Sequence, residues 1–213
     1  MKKVQFSILV FSVALALMAT SCRKDVINHL SNAESRVYIT KRDSAVNFAN
    51  YRTFRIADSV SVIEDGHLVK HAYTPYDSSM IAALTQEMTQ RGYQLQTDDA
   101  IKPDLGIDIS RIITSYTGTV SYDDYWGYFG NYWDPYYWGY GGYGYYFPYT
   151  FGIYTFREGA LSVDMLDLKN PNTGSKKLNT IWTGLGYGTG IFDVANVNEE
   201  VQALFNQSTY VQQ

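Results

Sequence analysis

Apolar and polar positions alternate in short runs along most of this chain, and two stretches instead carry helical spacing. Val37-Tyr38-Ile39-Thr40 predicts a strand. In Phe48 to Ile56, Thr53 and Arg55 alternate with Phe54 and Ile56, the mark of a half-buried strand. Residues 58–76 read as a loop with a hairpin turn at Asp65-Gly66. Met80, Ile81, Leu84 and Met88 recur at three-to-four spacing and predict a helix, capped by Asp77 or Ser78 and stopped at Gly92. Tyr93–Gln96 and Leu105–Ile113 return to strand alternation. Gly159–Leu168 is a further strand, turned at Asn170–Gly174 into Leu178–Tyr187. Val194 to Phe205 closes as a helix with Val197, Val201, Leu204 and Phe205 on one face. Two helices among mostly hairpin-connected strands imply an α+β fold: an antiparallel or mixed sheet with both helices packed on one face.

Between residues 122 and 151 this patterning stops. Those 30 residues hold 17 of the chain's 34 aromatic side chains, six glycines, two prolines, and no Lys or Arg. The glycines and prolines break any helical or strand period, so the segment reads as a long Tyr/Gly-rich loop inserted between strands. Rings with polar tips suit contact, and Tyr125, Trp126, Tyr132, Trp133, Tyr136, Tyr137 and Trp138 are the candidate contact residues. Because residues 37–113 and 153–207 supply every predicted core element, the domain is expected to fold without this loop. Alternation of Gly and Tyr also fits a sticky low-complexity segment with no ligand.

The N-terminus carries an address. Lys2 and Lys3 precede an apolar run from Phe6 to Met18, too short to span a bilayer, and residues 1–21 read as a secretory signal. Ala19-Thr20-Ser21-Cys22 resembles the lipobox of bacterial lipoproteins, which implies acylation of Cys22; Ala19 stands where leucine is commonest. Cys22 is the only cysteine, so neither a disulfide nor a thiolate metal site is available. Residues 22–36 read as a polar tether and 37–207 as one domain. The expected location is the cell envelope, on an outer-membrane lipid anchor, facing the periplasm or the surface.

Charge narrows the partners. Without the signal, 15 basic residues face 21 acidic ones, a net −6, which argues against nucleic acid. No cofactor is expected. His67 and His71 lie in a predicted loop that Gly66 and Pro75 keep from being helical, so they read as solvated rather than metal-binding. Asp123, Asp124 and Asp134 lie in the aromatic segment, and a glycosidase using Asp123 and Asp124 is the catalytic alternative; Asp164 and Asp167, three apart on a strand, point to opposite faces. The glycines at 184, 186, 188 and 190 lack the lysine and spacing of a phosphate loop and read as a strand end or bulge.

Several short runs occur in a familiar order. Asn47 to Phe54 (NFANYRTF), Pro103 to Ile109 (PDLGIDI), Gly159 to Asp167 (GALSVDMLD) and Ile181 to Gly184 (IWTG) resemble the domain of unknown function 4136 family of bacterial envelope lipoproteins. Asn47 replaces a frequent Asp, and the Tyr/Gly insertion is large. The resemblance implies a lipid-anchored α+β envelope domain and implies no activity or catalytic residue. The leading expectation is a non-catalytic accessory that docks on an envelope protein through its rings. A glycan- or peptidoglycan-binding module comes second, and a contact with the membrane interface third, since the segment lacks the cations that meet anionic lipid.

Overall fold

Thirteen regular elements form the chain's described part, which in this computed structural model comprises residues 35–64, 67–113, 120–121, 135–149, 153–154 and 159–213. They are β1 (Val37–Arg42), β2 (Thr53–Ile56), β3 (Val60–Glu64), β4 (His67–Ala72), α1 (Pro75–Gln90), β5 (Gln94–Leu95), β6 (Leu105–Ile113), β7 (Val120–Ser121), β8 (Gly144–Tyr146), β9 (Ile153–Tyr154), β10 (Ala160–Asn172), β11 (Lys177–Tyr187) and α2 (Val197–Asn206). Nine strands make one mixed sheet in the order β1-β11-β10-β6-β2-β5. β3 continues along β6 beyond β2 and carries β4 outside it, β8 lies beside the start of β11, and β7 pairs only with β9. β6, β10 and β11 run antiparallel to their neighbours among themselves, whereas β2 and β3 run parallel to β6. The fold is α+β. No helix among the described residues is long and apolar enough to cross a membrane.

Both helices pack on the sheet face formed by Phe54, Ile107, Ile109, Leu161, Val163 and Met165. α1 contributes Tyr76, Met80, Leu84 and Met88, and α2 contributes Val197, Val201, Leu204 and Phe205. Each such side chain contributes roughly 1.5–3 kcal/mol on burial, which outweighs the weak intrinsic preferences of these short elements. The first helix starts earlier than its periodicity suggests. Thr74, not Asp77, is the N-cap, Pro75 takes the first helical position, and Asp77 closes a capping box. Asp77 is fully buried and also pairs with Arg111 of β6 at 3.0 Å, pinning the helix start to the sheet.

Three other expectations change. Residues 58–76 are more than a loop: β3 and β4 form an antiparallel hairpin on either side of the expected turn at Asp65-Gly66. Phe48–Asn50 is a 3₁₀ turn capped by Asn47, so the strand begins only at Thr53. The domain also reaches beyond both sequence boundaries. Arg36 is buried and bonds Glu199 at 2.8 Å, while Arg91 donates to the carbonyls of Phe205, Ser208 and Val211, which leaves Val211 in the core.

The glycine run at the end of β11 is a packing seam. A Cβ on Gly184 would stand 2.7 Å from the Trp182 ring, and one on Gly188, where φ is +126°, would stand 2.4 Å from the Ser35 carbonyl oxygen. Close approach of α2 and of the chain entering β1 explains these glycines.

Candidate functional site

The sheet face away from the helices is polar in its middle. Successive cross-strand rows place Ser61, Ser110 and Ser162 side by side on β3, β6 and β10, and Asp108, Asp164 and Thr183 side by side on β6, β10 and β11. All six are buried. Because strand residues alternate between faces, the apolar neighbours of these residues point to the helices while Ser, Asp and Thr point the other way.

Asp164 accepts hydrogen bonds from Ser162 Oγ at 3.0 Å and from Thr183 Oγ1, and Thr183 in turn bonds Tyr149 Oη at 3.0 Å. Burial pushes the Asp164 carboxyl up to about 7, against the pull of Thr183 and Ser162. Asp108 sits directly opposite and is also held well above the usual carboxylate range, by burial first and by the Asp164 charge second. The nearby indole of Trp138 and phenol of Tyr145 oppose that rise without closing a hydrogen bond to the carboxyl. At 5% and 3% exposure, burial raises both acids toward their neutral forms. Ser110 Oγ and Thr180 Oγ1 have no hydrogen-bond partner among the described residues.

What covers the adjoining end of this face is the later part of the aromatic segment. Trp138 is 4% exposed and forms a second apolar cluster with Ala57, Leu166, Leu168 and Leu178, flanked by Tyr140, Tyr143 and Tyr145. A Cβ on Gly106 would stand 3.1 Å from the Trp138 ring, so glycine is what lets the indole lie flat on β6. β8 adds its own ladder to Lys177–Asn179, and Tyr140 Oη donates to the Leu168 carbonyl at 2.6 Å.

The candidate contact residues therefore divide. Trp138 is not a surface ring; it is core, because the small Gly106 opens a slot beneath it. Tyr136 is 75% exposed, with its ring against Gly141, and Tyr137 takes the Asp58 amide on its hydroxyl at 3.1 Å. Tyr125, Trp126, Tyr132 and Trp133 lie outside the described residues, as do Cys22, Asp123, Asp124 and Asp134. The expectation that the segment is dispensable is corrected: residues 135–149 complete a core cluster. Sequence reading also missed two exposed cations at the rings. Lys102 Nζ stands 3.8 Å above the Tyr140 ring, from the loop before β6, and Lys177 Nζ 4.8 Å from the Tyr146 ring, from the start of β11.

Metal chemistry gains no support from the histidines. A register shift in the β3–β4 hairpin sets His67 opposite Glu64 and His71 opposite Ser61, on different faces. Among the described residues no group of three His, Cys, Asp or Glu side chains converges. Asp164 and Asp167 do face opposite ways: Asp167 accepts from Tyr51 Oη at 2.8 Å on the helix side.

Over residues 39–208 the chain matches the family described as Domain of unknown function (DUF4136). It belongs to the DUF4136 family. A crystal structure of a DUF4136 family protein from Bacteroides thetaiotaomicron VPI-5482 is similar at 28% identity and a TM-score of 0.68, over 84% of this chain and 98% of that one. A PDZ domain protein from Parabacteroides distasonis reaches a TM-score of 0.41 at 13% identity, over 84% of this chain and 37% of that one. No curated protein matches. The short runs that resemble DUF4136 acquire a physical reading. Asp104 accepts from the Arg52 amide at 2.7 Å, Thr53 Oγ1 accepts from the Asp104 amide, Tyr51 reaches Asp167, and Thr183 reaches Asp164. In this DUF4136 chain the polar motif residues tie β2, β6, β10 and β11 to one another.

Proposed function

We propose that this chain is a lipid-anchored, non-catalytic envelope protein that offers the outer rings of its aromatic segment to a partner. One observation carries the reading: within a single stretch, Trp138 is sunk in the sheet at 4% exposure while Tyr136 and Tyr146 stand out at 75% and 45%. Seating Trp138, Tyr140 and Tyr145 gives the outward rings a rigid base, so little conformational entropy is lost when they are covered. The buried acids support a structural role for the polar face, since a general acid or base has to come within hydrogen-bond reach of substrate. The lipobox-like run at Cys22 supports the anchor.

Two measurements test this. Fatty-acid labelling should mark the wild type and not Cys22→Ser; label on both, or on neither, removes the anchor. A photo-crosslinking residue at position 136, compared in intact cells with one at exposed Gln90 on α1, should give adducts at 136 alone. Equal adducts at both positions, or none at 136, removes the contact role.

A further inference from the structure

Asp108 of β6 and Asp164 of β10 are direct cross-strand partners, which sets their Cβ atoms about 4.5–5.5 Å apart. No described Lys or Arg bonds either carboxyl. Asp164 is held by Ser162 and Thr183, and Asp108 Oδ1 has no hydrogen-bond partner among the described residues. Two negative charges so close and so poorly solvated repel, and the layer accommodates the pair only while protons are bound. Trp138 and Tyr145 stand near Asp108, and Tyr149 reaches Asp164 through Thr183. Other ionisable groups lie further out. Tyr137 feels the Asp108 charge, Asp43 and Tyr210 bear on Tyr149, and Lys41 of β1 continues the Asp164 row beyond Thr183. The stretch that carries Tyr145 and Tyr149 is lightly fastened. β8 meets β11 at Lys177, Leu178 and Asn179, and it follows Gly139 and Gly142, at φ of +76° and +77°. Cβ atoms on Gly142 and Gly144 would meet nothing within 4 Å, so the chain has room to pivot there.

We propose that residues 144–149 form a proton-controlled flap, seated on Asp108 and Asp164 while both acids are protonated and released about a pivot at residues 139–144 when they ionise. In the seated state burial raises Asp164 to about 7 and Asp108 well above the carboxylate range. Lifted, the two carboxyls meet water and return to ordinary behaviour near about 4. Lifting therefore releases protons between about pH 4 and 7, and the lifted fraction grows up to tenfold per pH unit for each proton released. Below that window both states hold their protons and the flap stays shut; above it only Asp108 still drives opening. Trp138 precedes the pivot and keeps its slot, so the second core cluster survives. Tyr146, an outward ring, rides on the flap, and pH thereby governs part of the contact surface. That consequence rests on the contact reading above, whereas the flap itself does not.

The test is amide hydrogen exchange of the full-length protein in detergent at pH 5 and pH 7, corrected for the intrinsic rate at each pH. Protection over residues 143–149 should fall at least about tenfold from pH 5 to 7, while α1 keeps its own within about twofold. In Asp108→Asn/Asp164→Asn that fall should vanish. Asp164→Asn alone should shrink it, and this single change decides the matter if the double variant does not fold. An equal loss in α1, no loss in the wild type, or an undiminished loss in the Asn variants overturns the flap. Crosslinking at position 136 judges the contact reading separately. Adducts at 136 with flat exchange remove the flap and leave the contact role; pH-dependent exchange without adducts removes the contact role and leaves the flap.

Discussion

Trp138→Ala should destabilise the domain about as much as a substitution in its main core. An indole this deeply buried removes roughly 200 Å² of surface from water, worth about 5 kcal/mol at 25 cal/mol per Å². The unfolded chain already hides part of that surface, so about 3–5 kcal/mol is the expected loss. The slot beneath the ring is walled by β6 backbone at Gly106 and by Leu168, neither of which can collapse into the space, which favours the upper part of the range. For a domain of this size, with a urea slope of about 2 kcal/mol/M, the midpoint should drop by roughly 2 M. Far-UV circular dichroism is the appropriate readout, because the substitution removes a fluorophore. Tyr136→Ala, two residues away and mostly exposed, should move the midpoint by less than about 0.3 M. A Trp138→Ala midpoint within that same margin would refute the assignment of residues 135–149 to the core.

Further outcomes follow from the same contacts. Gly106→Ala should cost about 1–3 kcal/mol by overpacking, since its Cβ would meet Leu168 Cδ1 at 2.9 Å; a neutral result in thermal melts would show that the indole shifts freely. Asp77→Ala removes both a capping-box member and the partner of Arg111, and should lower stability by about 3–5 kcal/mol in denaturant titration, whereas Ser78→Ala should cost about 0.5 kcal/mol or less. Stability should also depend on pH through Asp164. Its folded value, about 7, lies above the unfolded 3.8, so its contribution is fully present below about pH 4 and lost as pH rises to 7, on the order of 4 kcal/mol as an upper bound. Asp164→Asn should flatten that slope in urea midpoints taken from pH 4 to 8, and Asp108→Asn should flatten it further; unchanged slopes in both would contradict the burial argument. Excising residues 123–149 should yield an insoluble or molten product, seen as lost near-UV dichroism, because Trp138 and β8 leave with it.

The elements that the amino-acid pattern announces clearly are those whose two faces differ. α1 buries one apolar side against the sheet, and β6, β10 and β11 bury one against the helices, and their period shows it. β3 and β4 were hidden because β4 is exposed on both faces and β3 is buried on nearly all of its length, so neither alternates. The helix start was hidden because Thr74 caps from before the apolar run, and Pro75 looked like a breaker rather than a first helical residue. The site is the harder case. A Tyr/Trp run says that rings are present, not which of them find a slot, and the slot under Trp138 is made by a glycine 32 positions earlier. Strand alternation sets Asp108 and Asp164 on the side opposite the apolar residues but does not say whether that side is covered. Lys177 joins the rings only through the sheet's register and Lys102 through the loop before β6, neither of which a local pattern encodes.

The pairing of β1 with β11 bears on the order in which the chain is made. Val37 has its partner at Tyr187, so the first strand waits for 150 further residues before its ladder exists, and β11 is also what α2 packs upon. Contacts of such long sequence separation slow folding, and no early fragment holds a complete sheet. A nascent chain of this topology stays open until nearly all of it has been synthesised.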